Sequence, residues 1–264
     1  MIKRAGFALV SLAVAGSAWG VVTNQRLYHL GEADPPHAVG APGSNPTIDS
    51  VSAANAAKIG LEFYHSVSSG GGPPVAKGIA PGSTDSMEFT NIDSRYVASS
   101  LPAATNYGLE IYVQPQVNTD ALFFYNGGPG FPGPPPATGM GLGIQGGQYV
   151  GVVGSLGIIP SGVPAVPGQP VEIAIVADTT STRLFIQDLP VGPILPPPLA
   201  VAAGDLLSMG NFFDNLAPPA YGGVLDEARV FTFVPGGFNP GDLGPAAVPE
   251  PGALALVVGL GCWG

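Results

Sequence analysis

An all-β, two-sheet antiparallel sandwich is the fold class the sequence predicts, on three observations. Eight short runs carry apolar or alternating residues and end at Gly, Pro, Asn or Asp, the pattern of strands punctuated by turns. Beyond the N-terminal leader, no segment sustains an apolar stripe at the 3.6-residue period of a helix. Hydrophobic residues make up 45% and charged ones 10%, so the 40 Gly and 30 Pro among 264 residues read as turns of a packed domain, not as disorder.

In chain order, Lys3 and Arg4 precede an uncharged apolar stretch from Ala5 to Ala18, and Ala18 and Gly20 supply small side chains. That order predicts a secretory leader over residues 1–20, cut before Val21. The apolar run of about 14 residues is shorter than the roughly 20 that span a bilayer. Residues 21–235 suit one large sandwich domain. Strands are predicted over 60–65, 86–90, 107–113, 121–125, 148–153, 171–177, 182–187 and 224–233. In 107–113, Leu109, Ile111 and Val113 share one face and Glu110 and Tyr112 the other, which predicts one wet face. The 171–177 run is apolar on both faces except at Glu172, as a central strand would be. The polar stretch Ala177-Asp178-Thr179-Thr180-Ser181 then predicts a hairpin to 182–187. Proline brings no ladder donor, so the Pro-rich stretches 127–136 and 190–198 are expected as surface loops. Residues 236–247, rich in Gly and Pro, read as a linker to a tail over 248–264.

The tail begins Val248-Pro249-Glu250-Pro251 and continues as an apolar run from Gly252 to Trp263. It resembles the PEP-CTERM sorting signal of bacteria that carry an exosortase, with Pro249, Glu250 and Pro251 matching the motif. The resemblance implies export and an exosortase-type sorting protease as a partner, with the product in the envelope, at the surface or outside the cell. The apolar run is shorter than a membrane span and no Lys or Arg follows it, so the signal is read as truncated.

Three further stretches resemble the laminin G-like, concanavalin A-like jelly rolls. Tyr28, Leu30, Gly31, Glu32 and Asp34 match an opening motif. Residues 171–189 match a central hairpin, although Gln169 and Pro170 stand where the family carries an aromatic. Gly223-Val224-Leu225-Asp226-Glu227-Ala228-Arg229-Val230-Phe231 matches a closing Gly-x-Ile-Asp-Glu-x-Arg-Val strand. The resemblance implies a jelly roll and, as in many such domains, calcium at a rim, for which Asp214 and Asp226 are the candidate ligands. Asp226 is equally read as a carboxylate that holds a turn through backbone donors.

Charge and reactive residues narrow the function. Net charge is −10, and loss of Lys3 and Arg4 with the leader takes it to −12. With no basic cluster, the chain repels phosphate backbones and nucleic acid is excluded as a partner. The single cysteine, Cys262, lies in the tail, so the domain has no internal disulfide. His29, His37 and His65 lack metal-ligand spacing and show no convergent partners. Neither Gly-x-Ser-x-Gly nor Cys-x-x-Cys is present. The Gly139-Met140-Gly141-Leu142-Gly143 run has no following Lys and reads as a Gly-rich strand, not a phosphate cradle.

Glycoside hydrolysis on a jelly roll needs two carboxylates converging from one strand face. Glu110 stands alone on its strand; Asp226 and Glu227 are adjacent and expected on opposite faces, while Glu227 and Arg229 are expected to share a face and pair. Phe131, Tyr149, Phe212 and Phe213 lie in or near loops, where an aromatic could stack on a sugar, although most are read as packing residues. The expectation is a non-enzymatic, exported, lectin-like or structural module with an extracellular glycan or matrix protein as partner. The alternative is a glycoside hydrolase on the same fold.

Overall fold

The computed structural model describes residues 22–30, 47, 49–52, 54–59, 63–65, 78–83, 85–89, 95–101, 105–128, 138–202, 204–210 and 221–244. Among them run fifteen strands: β1 (Val22–Tyr28), β2 (Ala57–Ile59), β3 (Phe63–His65), β4 (Met87–Phe89), β5 (Arg95–Ser99), β6 (Tyr107–Pro115), β7 (Ala121–Gly127), β8 (Met140–Gln145), β9 (Gln148–Val153), β10 (Gly157–Pro164), β11 (Val171–Ala177), β12 (Thr182–Ile186), β13 (Leu189–Leu195), β14 (Leu206–Met209) and β15 (Gly223–Phe233). All pairings are antiparallel. One sheet runs β13-β12-β11-β6-β15-β4-β3, with β1 also on β15; the other runs β10-β9-β8-β7-β14-β5-β2. The chain is thus an all-β sandwich, as its alternating runs predict.

The core lies between the sheets. Leu109, Ile111 and Val113 of β6, with Ile173 and Ile175 of β11, face Leu142 and Ile144 of β8 and Val153 of β9. The Gly139–143 run forms most of β8, as expected of a Gly-rich strand. Its glycines are needed on the far face, where a Cβ at Gly141 would strike the Tyr125 ring and sit 2.6 Å from Phe124 O. The 171–187 hairpin forms as predicted, with β11 between β12 and β6.

The structure corrects expectations at three places in the fold. The face of β6 bearing Glu110 and Tyr112 is not wet, because both residues are buried. The chain after β15, expected as linker, folds back as a strap that covers this face through Gly244. Phe238 and Leu243 of the strap pack with Ala174, Val176, Phe185 and Phe231 in a second apolar cluster. Asn239 shapes the strap by accepting from Gly241 N, while Asp242 accepts from Asn239 N, closing a capping box around a short 3-10 turn at Pro240–Asp242. Burial of a side chain such as Leu243 contributes about 1.5–3 kcal/mol toward holding this Gly- and Pro-rich segment in place.

The 190–198 stretch is also not simply a loop, since residues up to Leu195 form β13. Proline is tolerated there because β13 is a sheet edge, as is β10 with Pro160 and Pro164. The two edges approach closely at Gly192, whose φ of +71° is open to glycine and where a Cβ would overlap Pro160 O.

The third correction concerns the closing strand. Asp226 lies opposite Tyr112 and Arg229 opposite Glu110, so three steps on β15 match two on β6. This one-residue bulge centres on Glu227, which has a φ of +47°. It puts Asp226 and Arg229 on the same side of the sheet and turns Glu227 away. The expected Glu227–Arg229 pair is replaced by an Arg229–Glu110 pair and a Glu227–His29 pair.

Candidate functional site

Above the second apolar cluster lies a groove of about 240 Å³, with the β11–β12 hairpin on one side and the strap on the other. The hairpin contributes Val176, Asp178, Ser181, Arg183 and Phe185; the end of β15 and the strap contribute Phe233, Gly236, Phe238 and Pro240. Phe238 is the hub of the aromatic floor, with its ring centroid 5.5 Å from Phe185, 5.4 Å from Phe233 and 6.2 Å from Phe231.

The polar wall is held by the hairpin turn. Asp178 Oδ1 accepts from Thr180 N at 2.7 Å, Thr180 Oγ1 at 2.8 Å and Ser181 N at 2.7 Å. Slight burial opposes ionisation, but these donors outweigh it and hold the Asp178 carboxyl below the usual range. Arg183 alternates outward from β12, is exposed, and makes no hydrogen bond or ion pair among the described residues. The groove therefore offers an apolar floor, a fixed carboxylate and an uncommitted guanidinium.

Beneath the strap is a buried polar cluster. Glu110 Oε2 accepts from Arg229 Nε at 2.6 Å, and Glu110 Oε1 accepts from Gly244 N at 2.7 Å. Arg229 Nη2 donates to Asp242 O at 2.7 Å, so one ion pair ties sheet to strap. Burial pushes the Glu110 carboxyl up, and the Arg229 guanidinium draws it back. Glu172, diagonal to Glu110 on β11, accepts from Tyr112 Oη at 3.1 Å. Burial and then the neighbouring Glu110 charge raise its pKa to about 7. A cross-strand carboxylate neighbour of Glu110 was not legible from single strands. Both carboxyls are covered, however, and Glu110 already has two partners.

Asp226 takes the turn-holding role. It is fully buried, and its Oδ2 accepts from Ile79 N at 2.9 Å and Ala80 N at 3.0 Å, pinning the 78–83 loop to β15. Its Oδ1 has no partner among the described residues. Burial outweighs these donors and raises its pKa to about 7. Among the described residues, no group of three or more His, Cys, Asp and Glu side chains converges as a metal site. Asp214, His37, Phe131, Phe212, Phe213 and the sorting motif Pro249, Glu250 and Pro251 lie outside the described residues. Tyr149 is buried in the core and offers no ring face to a ligand.

Sequence reasoning missed the partners of His29. The imidazole directly follows β1, with Nδ1 at 2.8 and 2.9 Å from the Glu227 carboxylate oxygens and Nε2 at 3.2 Å from Ser50 Oγ. A separation of 198 positions between His29 and Glu227 hides this convergence from any local pattern.

No protein-family model matches the sequence, and no curated protein matches it. Solved structures do match. Domain 4 of an extracellular GH43 arabinanase from Geobacillus stearothermophilus, in complex with arabinotriose, is 16% identical over 83% of this chain and 96% of that one, with a TM-score of 0.47. A Trypanosoma rangeli sialidase in complex with sialic acid is 11% identical over 78% of this chain, with a TM-score of 0.50, and the match spans 30% of the sialidase. A heptameric SAP-like pentraxin from Limulus polyphemus is 12% identical over 54% of this chain and 73% of that one, with a TM-score of 0.42. At these identities the likeness concerns the fold alone, a β-sandwich of jelly-roll type.

Proposed function

We propose that the chain is an exported, lectin-like or structural module of the cell surface or extracellular matrix, and that its groove receives a glycan. The groove carries the reading. Sugars present apolar C–H faces and many hydroxyls, and the aromatic floor, Asp178 and Arg183 supply complementary groups. The full-length chain is expected to retain glycans on an array. Arg183→Met, at an exposed position, is expected to weaken binding of the best of them by about tenfold, equivalent to about 1.4 kcal/mol, without lowering the unfolding midpoint. No glycan above background, or wild-type affinity in Arg183→Met, would count against the groove.

Glycoside hydrolysis on the same fold is the less favoured reading. Glu110 and Glu172 are both buried, and Glu110 is engaged by Arg229 and Gly244 N, which speaks against their meeting a substrate. Export and handling by an exosortase-type protease are supported by the leader over residues 1–20 and by Pro249-Glu250-Pro251. Mass spectrometry of the protein from the native bacterium is expected to find a mature start at Val21 outside the cytoplasm. An intact Met1 or Trp263 in the cytoplasm would contradict that address.

A further inference from the structure

In the groove between the β11–β12 hairpin and the strap, the two charged side chains are not equivalent. Asp178 is held by its own turn: Oδ1 accepts from Thr180 N, Thr180 Oγ1 and Ser181 N, and Oδ2 accepts from Ser181 Oγ at 3.2 Å. Arg183 is exposed and has no hydrogen bond or ion pair among the described residues. The other described cations are engaged. Arg26 pairs with Asp49 and Arg229 with Glu110, and Lys58 and Arg95 have partners as well. In a chain with 18 Asp and Glu against 8 Lys and Arg, Arg183 thus stands without a carboxylate of its own among the described residues.

The free guanidinium lies beside an open aromatic ring. Arg183 and Phe185 stand two apart on β12, about 7 Å, and face the same way. Phe185 is buried in the floor, whereas Phe238, with its ring centroid 5.5 Å away, is only half-buried. The groove volume of about 240 Å³ falls below the roughly 300–1,000 Å³ of pockets for drug-sized ligands, so it takes one sugar unit, not a long stretch of chain.

We propose that the groove selects glycans bearing a uronic acid, with the sugar ring on Phe238 and its carboxylate on the Arg183 guanidinium. This inference rests on the reading of the groove as a glycan site and names the sugar class it takes. The guanidinium is a planar fork of donors that a carboxylate meets with two parallel hydrogen bonds. A neutral sugar offers hydroxyl oxygens alone, and hydrogen bonds to them are roughly half as strong. The same electrostatics set an upper limit on ligand charge. Asp178 in the groove wall and the net charge of −10 repel a densely sulfated chain, so a single acid in an otherwise neutral glycan fits best.

The probes are oligosaccharides with one glucuronic or galacturonic acid, each beside its counterpart with that carboxyl reduced to an alcohol. Calorimetry with the full-length chain is expected to show the acidic form binding about tenfold more tightly, with the advantage shrinking as salt is raised. Arg183→Met is expected to bind both forms alike. Arg183→Lys keeps the charge but loses the fork, and should retain a smaller preference. A densely sulfated oligosaccharide should bind more weakly than the single-acid probe. Equal binding of acidic and reduced forms by the wild type, or a preference that survives in Arg183→Met, overturns the uronic-acid assignment and leaves glycan binding standing. Tighter binding of the sulfated probe does the same. No binding of any probe, acidic, reduced or sulfated, together with no glycan above background on the array, overturns the assignment and the glycan reading together.

Discussion

Replacing Arg229 with methionine is expected to destabilise the fold by about 3–5 kcal/mol, because it leaves Glu110 buried without its counter-charge. Arg229 and Glu110 are 3% and 2% exposed, so water cannot take over the lost contacts. The guanidinium also donates to Asp242 O, and the strap loses that anchor at the same time. For a domain of this size the midpoint should fall by about 10 °C. Limited proteolysis should cut the variant first around Pro235–Gly237, where the strap leaves β15. Replacing both partners by apolar residues, as in Glu110→Met with Arg229→Met, should recover much of the loss, since no buried charge is then left alone. An unchanged midpoint in Arg229→Met would mean that the strap is held by Phe238 and Leu243 alone.

The second large effect is a pH dependence centred on Asp226. Its pKa rises from the usual 3.8 in the unfolded chain to about 7 in the folded one. Between about pH 4 and pH 7 the folded state therefore holds a proton that the unfolded state has released. Its contribution to stability is fully present below this window, falls as pH rises through it, and is gone above pH 7. The difference is on the order of 4 kcal/mol. Glu172, with its pKa raised to about 7, acts in the same direction. Denaturation at pH 5 and pH 8 should show lower stability at pH 8. Asp226→Asn still accepts from Ile79 N and Ala80 N but has no proton to lose, so it should flatten this slope and exceed the wild type at pH 8. An undiminished slope in Asp226→Asn would place the effect elsewhere. A gain in wild-type stability on adding calcium, lost in Asp226→Asn, would favour the calcium-ligand reading of Asp226.

Much of the fold was legible because half its strands are apolar and their turns are punctuated by Gly, Asp and Asn. Leu109, Ile111 and Val113 announced β6, and the stretch from Ala177 to Ser181 announced the hairpin. The missed strands failed for identifiable reasons. β1 reads Val-Thr-Asn-Gln-Arg-Leu-Tyr, whose polar first half shows no apolar alternation and is held as a strand by its pairing along β15. β10 and β13 carry prolines that only an edge tolerates, and edge position is a property of the assembled sheet. The strap looks like a linker because what holds it, Arg229, Glu110 and the Phe231 ring, lies on other elements. Functional groups were harder still. The bulge at Glu227 reverses the facing that strict alternation assigns to the residues after it, and with it the pairings of Arg229 and His29. The groove arises where Arg183 and Phe185 meet Phe233 and Phe238, two segments about fifty residues apart.

The proposal of a glycan-binding module is tested most directly by a crystal structure of the full-length chain with its tightest array glycan. The sugar is expected over the Phe238 ring, within hydrogen-bond reach of Arg183 and Asp178 and with every glycosidic bond intact. A glycan seated on the outer face of the β8–β9 sheet, or one cleaved beside Glu110 and Glu172, would contradict it.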